Sequence, residues 1–149
     1  MSQRHAFIMM IHDKWWHKFS RKNHRRNQVL SYVKTGYGSP KEGSIILFYV
    51  TKPVGEVAGY AEFVGRKTGD AQELWKEHGH ESVLESKEQY EKFIEGKQTV
   101  SFIRFRNLHK GSNPIPLDHL LLQLNKRKPS RASFYVDKEN SDKLIALMD

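Results

Sequence analysis

Residues 44–50 read SIILFYV, an almost unbroken apolar run with the length of a strand. A strand with water on one face alternates polar and apolar side chains, so this run needs cover on both faces, in a central strand or a barrel wall. Pro53 and Gly55 end it. Residues 57–64 (VAGYAEFV) form a second strand, in which Gly59 suits a bulge or a tight barrel bend. Residues 65–69 are expected to turn the chain.

Other elements follow around this pair. Residues 5–11 (HAFIMMI) read as a buried opening strand. Asp13 can cap a helix from Lys14 whose large side chains are Trp15, Trp16 and Phe19. Residues 28–34 extend that helix or open a new element, and 35–43 (TGYGSPKEG) are loop. Asp70-x-x-Glu73 is a capping box, opening a helix with Leu74, Trp75 and His78 on one side and a stop at Gly79. Ser86-x-x-Gln89 is a second box, before a helix carrying Tyr90, Phe93 and Ile94 and ending at Gly96. Residues 99–108 return to strand, with Arg104 and Arg106 sharing one face by period two. A loop is expected at 110–116, a helix at 117–125, a basic loop at 126–131, a strand at 132–136 and a closing helix at 141–147. No repeat or composition break divides the chain, and one domain over 1–149 is expected.

The chain has no cysteine, which excludes disulfides and thiolate metal sites. No window approaches the ~18 apolar residues of a membrane span, and no secretion signal is recognisable, so a cytoplasmic location is expected. Charge is more informative. The net charge is +8, distributed as +8 over residues 1–41, −4 over 42–99 and +4 over 100–149. Basic flanks around an acidic middle suggest a cationic face for a polyanion. The paired acidic helices of the middle read as an insertion between strands.

The run from Glu42-Gly43-Ser44 through Pro53, then residues 57–64 and the Leu74-Trp75 helix, resembles the middle of PUA-like domains, especially the ASCH branch and its uncharacterised archaeal relatives. Residues 133–136 (SFYV) before a short helix are similar to how such domains close. The resemblance implies an α+β fold with a small PUA-like β-barrel of mostly antiparallel strands and short peripheral helices. It also implies a nucleic-acid ligand. ASCH domains usually carry a Gly-x-Lys-x-x-Glu-x-Arg motif after the first helix. This chain has Lys18 to Arg26 and Lys34-Thr35-Gly36 there instead, so no catalytic residue carries over.

Cations at phosphate spacing supply affinity by counterion release, and aromatic faces stack on unpaired bases. The candidate nucleic-acid-binding residues are Lys18, Arg21, Lys22, Arg25 and Arg26, then Arg104 and Arg106, then Lys126, Arg127, Lys128 and Arg131. Their convergence on one face is the expectation; a solvated charged surface is the alternative. The candidate base pocket draws on Trp15, Trp16, Tyr37 and Trp75, for which core packing is the competing role. Adjacent Trp15 and Trp16 cannot both face the core from one helix.

The histidines lack metal-site spacing: His78-x-His80 ends a helix, and His12 and His17 diverge around one. No metal or cofactor is expected. Gly36-x-Gly38-Ser39 lacks the third glycine and the strand-to-helix setting of a nucleotide loop. The leading expectation is therefore an RNA-binding module, recognising a modified or flipped-out base in a cleft between Trp15/Trp16 and residues 36–40. A nucleoside amidohydrolase or ribonuclease in the same cleft is one alternative, with His24, or His109 with Lys110, as acid or base. A protein adaptor docking through the acidic helices is the other.

Overall fold

A computed structural model describes residues 4–23, 25–35, 40–126 and 134–149. The elements are β1 (Ala6–Ile11), α1 (Asp13–Lys22), β2 (Val29–Lys34), β3 (Ile45–Val50), β4 (Glu56–Asp70), α2 (Ala71–His78), α3 (Lys87–Ile94), β5 (Thr99–Pro116), α4 (Leu117–Gln123), β6 (Phe134–Val136) and α5 (Lys138–Met148). A 3-10 turn, Gly79–Glu81, links α2 toward α3. The six strands form one mixed sheet in the order β2-β5-β4-β3-β1-β6. Only β1 and β3 are parallel; the other pairings are antiparallel.

The expected barrel is not formed: among the described residues β2 and β6 are open edges. Among the described residues β6 is Phe134–Val136. Beside β2 lies irregular chain rather than a strand, since Ser31, Tyr32 and Val33 share a crevice with Ser82, Val83 and Leu84. Two other segments also depart from expectation. Residues 65–69 continue β4, and 110–116 continue β5, so two long strands replace two shorter ones and their loops. Several register shifts between β4 and β5 let this ribbon bend without breaking.

The apolar run is covered on both sides from Ile46 to Val50, as period two demands. Ile46, Phe48 and Val50 join Phe7, Met9 and Ile11 beneath Trp16 and Phe19 of α1. Leu47 and Tyr49 join Ala6 and Ile8 beneath Leu120 of α4 and Leu144 and Met148 of α5. Phe48 lies between Trp16 and Phe105, with ring centroids 5.3 and 5.1 Å away. Gly59 is the position that permits this packing. A Cβ there would stand 2.7 Å from the Trp16 ring and clash with the His109 carbonyl oxygen.

Helix starts follow local chemistry. Asp70 Oδ2 accepts from the Gln72 and Glu73 amides, and Ser86 Oγ accepts from Gln89 N. For α1 the cap is His12 rather than Asp13: His12 Nδ1 accepts from Lys14 N, which puts Asp13 inside the first turn. There its carboxylate meets His17 at 3.0 Å. Residues 29–34 are strand, not helix, because Leu30 and Val33 fill sites in the sheet core.

Candidate nucleic-acid interface

The site is built where α1 ends. Lys18, Arg21 and Lys22 share the last turns of the helix, and Arg25 and Arg26 occupy the turn that follows. Arg21, Arg25 and Arg26 are exposed, and none makes an ion pair among the described residues. Two grooves flank this ridge. One, of about 300 Å³, is lined by Lys18, Arg21, Lys22, Ser82, Val83, Leu84 and Glu85. The other, of about 350 Å³, is lined by Asn23, Arg25, Arg26, Asn107, Leu108 and His109. Both fall at the small end of ligand-sized sites, which run from about 300 to 1,000 Å³.

Within the first groove not every cation is available. Lys22 Nζ donates to the carbonyls of His80, at 2.6 Å, and Ser82, so it ties α1 to the 3-10 turn. Burial pushes its pKa down, while the charge of Glu81 opposes that shift. Lys18 stands 3.8 Å from Glu85 and over the Trp15 ring at 5.5 Å. Among the described residues Arg21 is the cation in this groove with neither a carboxylate nor a carbonyl partner.

The opposite wall is held by a buried carboxylate. Glu81 receives both Arg104 Nε and Nη2 at 3.1 Å and Ser31 Oγ at 2.8 Å. Burial alone would raise its pKa, but the Arg104 and Ser31 hydrogen bonds and the charges of Arg104 and His78 outweigh it and hold the carboxyl low. His78 Nδ1 lies 3.2 Å from Glu81 Oε1, close enough for charge attraction but without hydrogen-bond alignment. This hub joins the acidic insertion to β2 and β5. It leaves Arg104 committed to the protein rather than offered to a ligand.

A second brace positions the arginine turn. Asn27 (φ 61°) and Asn107 (φ 54°) both adopt the left-handed conformation that asparagine tolerates best after glycine. Asn107 Oδ1 accepts from Asn27 N at 2.8 Å, and Asn107 Nδ2 donates to Asn27 Oδ1 at 2.9 Å and to Glu62. Glu62 also receives Arg106 Nε at 3.3 Å. Asn23 Nδ2 adds a bond to Leu108 O at 2.9 Å. Farther along β5, His109 Nε2 lies 3.2 Å from Asp149 Oδ1, and its ring packs on Tyr60, whose hydroxyl also reaches Asp149. Burial, then the Asp149 hydrogen bond and charge, raise the Tyr60 pKa.

The structure thus gathers Lys18, Arg21, Lys22, Arg25 and Arg26, whereas Arg104 and Arg106 are ion-paired. Lys126 packs over the Phe134 ring at 3.6 Å; α4 lies over the opposite face of β1 and β3 from α1. Arg127, Lys128, Arg131, Tyr37 and His24 lie outside the described residues, as does 36–39 of the cleft loop. Of the tryptophans, Trp16 is core, and Trp75 stacks on Tyr90 at 4.6 Å. Trp15 packs edge-on to Phe93 at 5.5 Å and lines a crevice of only about 10 Å³, too small for a base as it stands. Sequence reasoning missed Glu81, Asn27, Asn107 and Asp149. Glu81 resembles its solvated acidic neighbours in sequence, and only the Asn27 and Asn107 types, tolerant of left-handed backbone, carried a local signal. Among the described residues no group of histidine and acidic side chains could hold a metal, and no helix is long and apolar enough to cross a membrane.

This architecture is that of a PUA-like α+β domain with an open sheet. No protein-family model and no curated protein matches the chain. Among solved structures it is similar to a serine-to-alanine variant of the ASCH protein from Zymomonas mobilis, with TM-score 0.78, 25% identity and 100% of both chains covered. The ASCH structure without a named substitution gives TM-score 0.77 at 24% identity, covering 98% of this chain and 97% of that one. A tyrosine-to-phenylalanine variant gives 0.76 at 24% identity, covering 98% and 100%. The chain therefore has the fold of an ASCH domain, and this fits a PUA-like nucleic-acid-binding module at the coarse level.

Proposed function

We propose that the chain binds RNA, laying the phosphate backbone along the ridge from Lys18 to Arg26. The observation that carries this is the set of exposed arginines, Arg21, Arg25 and Arg26, unpaired with acids and standing between two grooves. Elsewhere on the described surface Arg104 and Arg106 meet carboxylates. Planar guanidinium groups suit phosphate oxygens by shape as well as charge. An unpaired base has a place beside Trp15, whose ring is already polarised by Lys14 at 4.9 Å and Lys18, once the crevice against Phe93 widens. RNA over DNA, a modified base as the feature read, one domain over 1–149 and a cytoplasmic location are parts of this proposal.

The test is fluorescence anisotropy with single-stranded RNA, structured RNA and DNA of matched length at two salt concentrations. Each phosphate contact contributes a slope of about −0.7 in log K against log salt for a single strand. Changing Arg25→Glu and Arg26→Glu together is expected to weaken binding and flatten that slope. An unchanged affinity would remove the ridge as the interface.

One observation favours a second, hydrolytic reading: the His109–Asp149 pair beside the Arg25–Arg26 groove has the form of an oriented general acid or base. Incubation of end-labelled RNA with the protein tests it. No cleavage, or cleavage unaffected by His109→Gln, removes that reading.

A further inference from the structure

We infer that the groove between the 25–28 turn and β5 is a subsite for a terminal phosphate monoester of the bound RNA. The inference rests on the RNA-binding reading and adds the part of the RNA that this groove reads.

The two grooves differ in electrostatic character. The first contains Glu85 in its lining, spends Lys22 on carbonyls and sets Lys18 beside that carboxylate. Among the described residues the second has no carboxylate in its lining and holds two guanidinium groups without ion-pair partners, together with the His109 imidazole and the amides of Asn23 and Asn107. The carboxylates nearby, Glu62 and Asp149, are already engaged by Arg106 and Asn107 and by His109 and Tyr60. An internal phosphodiester brings one charge and two free oxygens. A monoester brings about −1.5 to −2 near neutral pH and three acceptor oxygens. Two adjacent arginines with no competing acid match the second ligand better than the first.

The turn is also built rather than loose. The reciprocal Asn27–Asn107 bonds and the Asn23 bond to Leu108 O hold it to β5 at both ends. The arginines therefore begin from a constrained backbone, and less ordering entropy opposes binding. A terminal group also fits a groove at the end of the ridge, where the backbone path laid along α1 runs out.

The experiment compares single-stranded RNAs of one sequence bearing a 5′-phosphate, a 3′-phosphate or hydroxyls at both ends. A fourth RNA, hydroxyl-ended and two nucleotides longer, carries matched charge. One or both phosphorylated RNAs should bind about tenfold tighter than the charge-matched control, the effect of one additional charge-assisted contact. The two phosphorylated arms tell which end is read. Arg25→Gln with Arg26→Gln should weaken all the RNAs and bring the phosphorylated and charge-matched ones to equal affinity, the remaining binding running through Lys18 and Arg21. Equal affinity for phosphorylated and charge-matched RNAs would overturn the inference and leave RNA binding standing. A preference that survives in the double variant would also overturn it. Failure of every RNA to bind would overturn both readings.

Discussion

Replacing Glu81 with glutamine removes the charge that joins the acidic insertion to the sheet while keeping the side chain's shape. In the native chain the Glu81 side chain is 8% exposed and that of Arg104 is 22% exposed. Breaking a buried ion pair by neutralising one partner costs about 3–5 kcal/mol, because the remaining charge is stranded. Arg104 is less buried than its partner, and water can recover part of that loss. The expected cost is therefore about 2–3 kcal/mol, below the full buried-pair range. For a chain of this size that corresponds to a Tm lower by roughly 4–12 °C.

Urea titration and calorimetry would measure it, with Arg104→Met and the double variant completing a cycle. The pH dependence supplies a second readout. The folded-state pKa of Glu81 is lowered, so its stabilisation is present above the ordinary glutamate value of about 4.3 and lost as pH falls through the folded value. The difference between the native chain and Glu81→Gln should shrink across that acidic window, since glutamine does not titrate. A cost below about 0.5 kcal/mol at neutral pH would equate the pair with a surface salt bridge and refute the hub.

Three further substitutions test the packing directly. Gly59→Ala should cost about 1–3 kcal/mol, because its methyl group meets the Trp16 ring and the His109 carbonyl; unchanged urea midpoints would contradict that close approach. Asp70→Ala removes the acceptor for two amides of α2 and should cost about 1 kcal/mol, measured by the same titration. Asn107→Ala loses the bonds to Asn27 and Glu62 and places alanine at a left-handed φ, which alone costs about 1–2 kcal/mol. Asn107→Gly should recover the dihedral part only, so the glycine variant falling below alanine would refute the assignment.

Local signals read well where short-range physics sets the outcome. The Asp70 and Ser86 caps, the Gly79 stop and the two-sided burial of residues 46–50 depend on neighbours within one turn or on a simple alternation. They were legible because few alternatives satisfy the same backbone groups. The extents of β4 and β5 were not, since Lys67, Gly69 and Lys110 carry no strand signal of their own. Their conformation comes from ladder partners supplied by distant chain. Barrel closure failed as an expectation for the same reason, because which segment lies beside β2 is a tertiary matter.

The basic ridge divides along the same line. Sequence alone determined that cations cluster at residues 18–26 and that the middle of the chain is acidic, since composition needs no partner. Only tertiary structure decided which cations remain available. Lys22, Arg104 and Arg106 look equivalent to Arg21, Arg25 and Arg26 in sequence, yet the former group meets carbonyls or carboxylates from 23 to 60 residues away. A charge is neutralised by what lies within a few ångströms, and at those separations along the chain only the fold sets that distance.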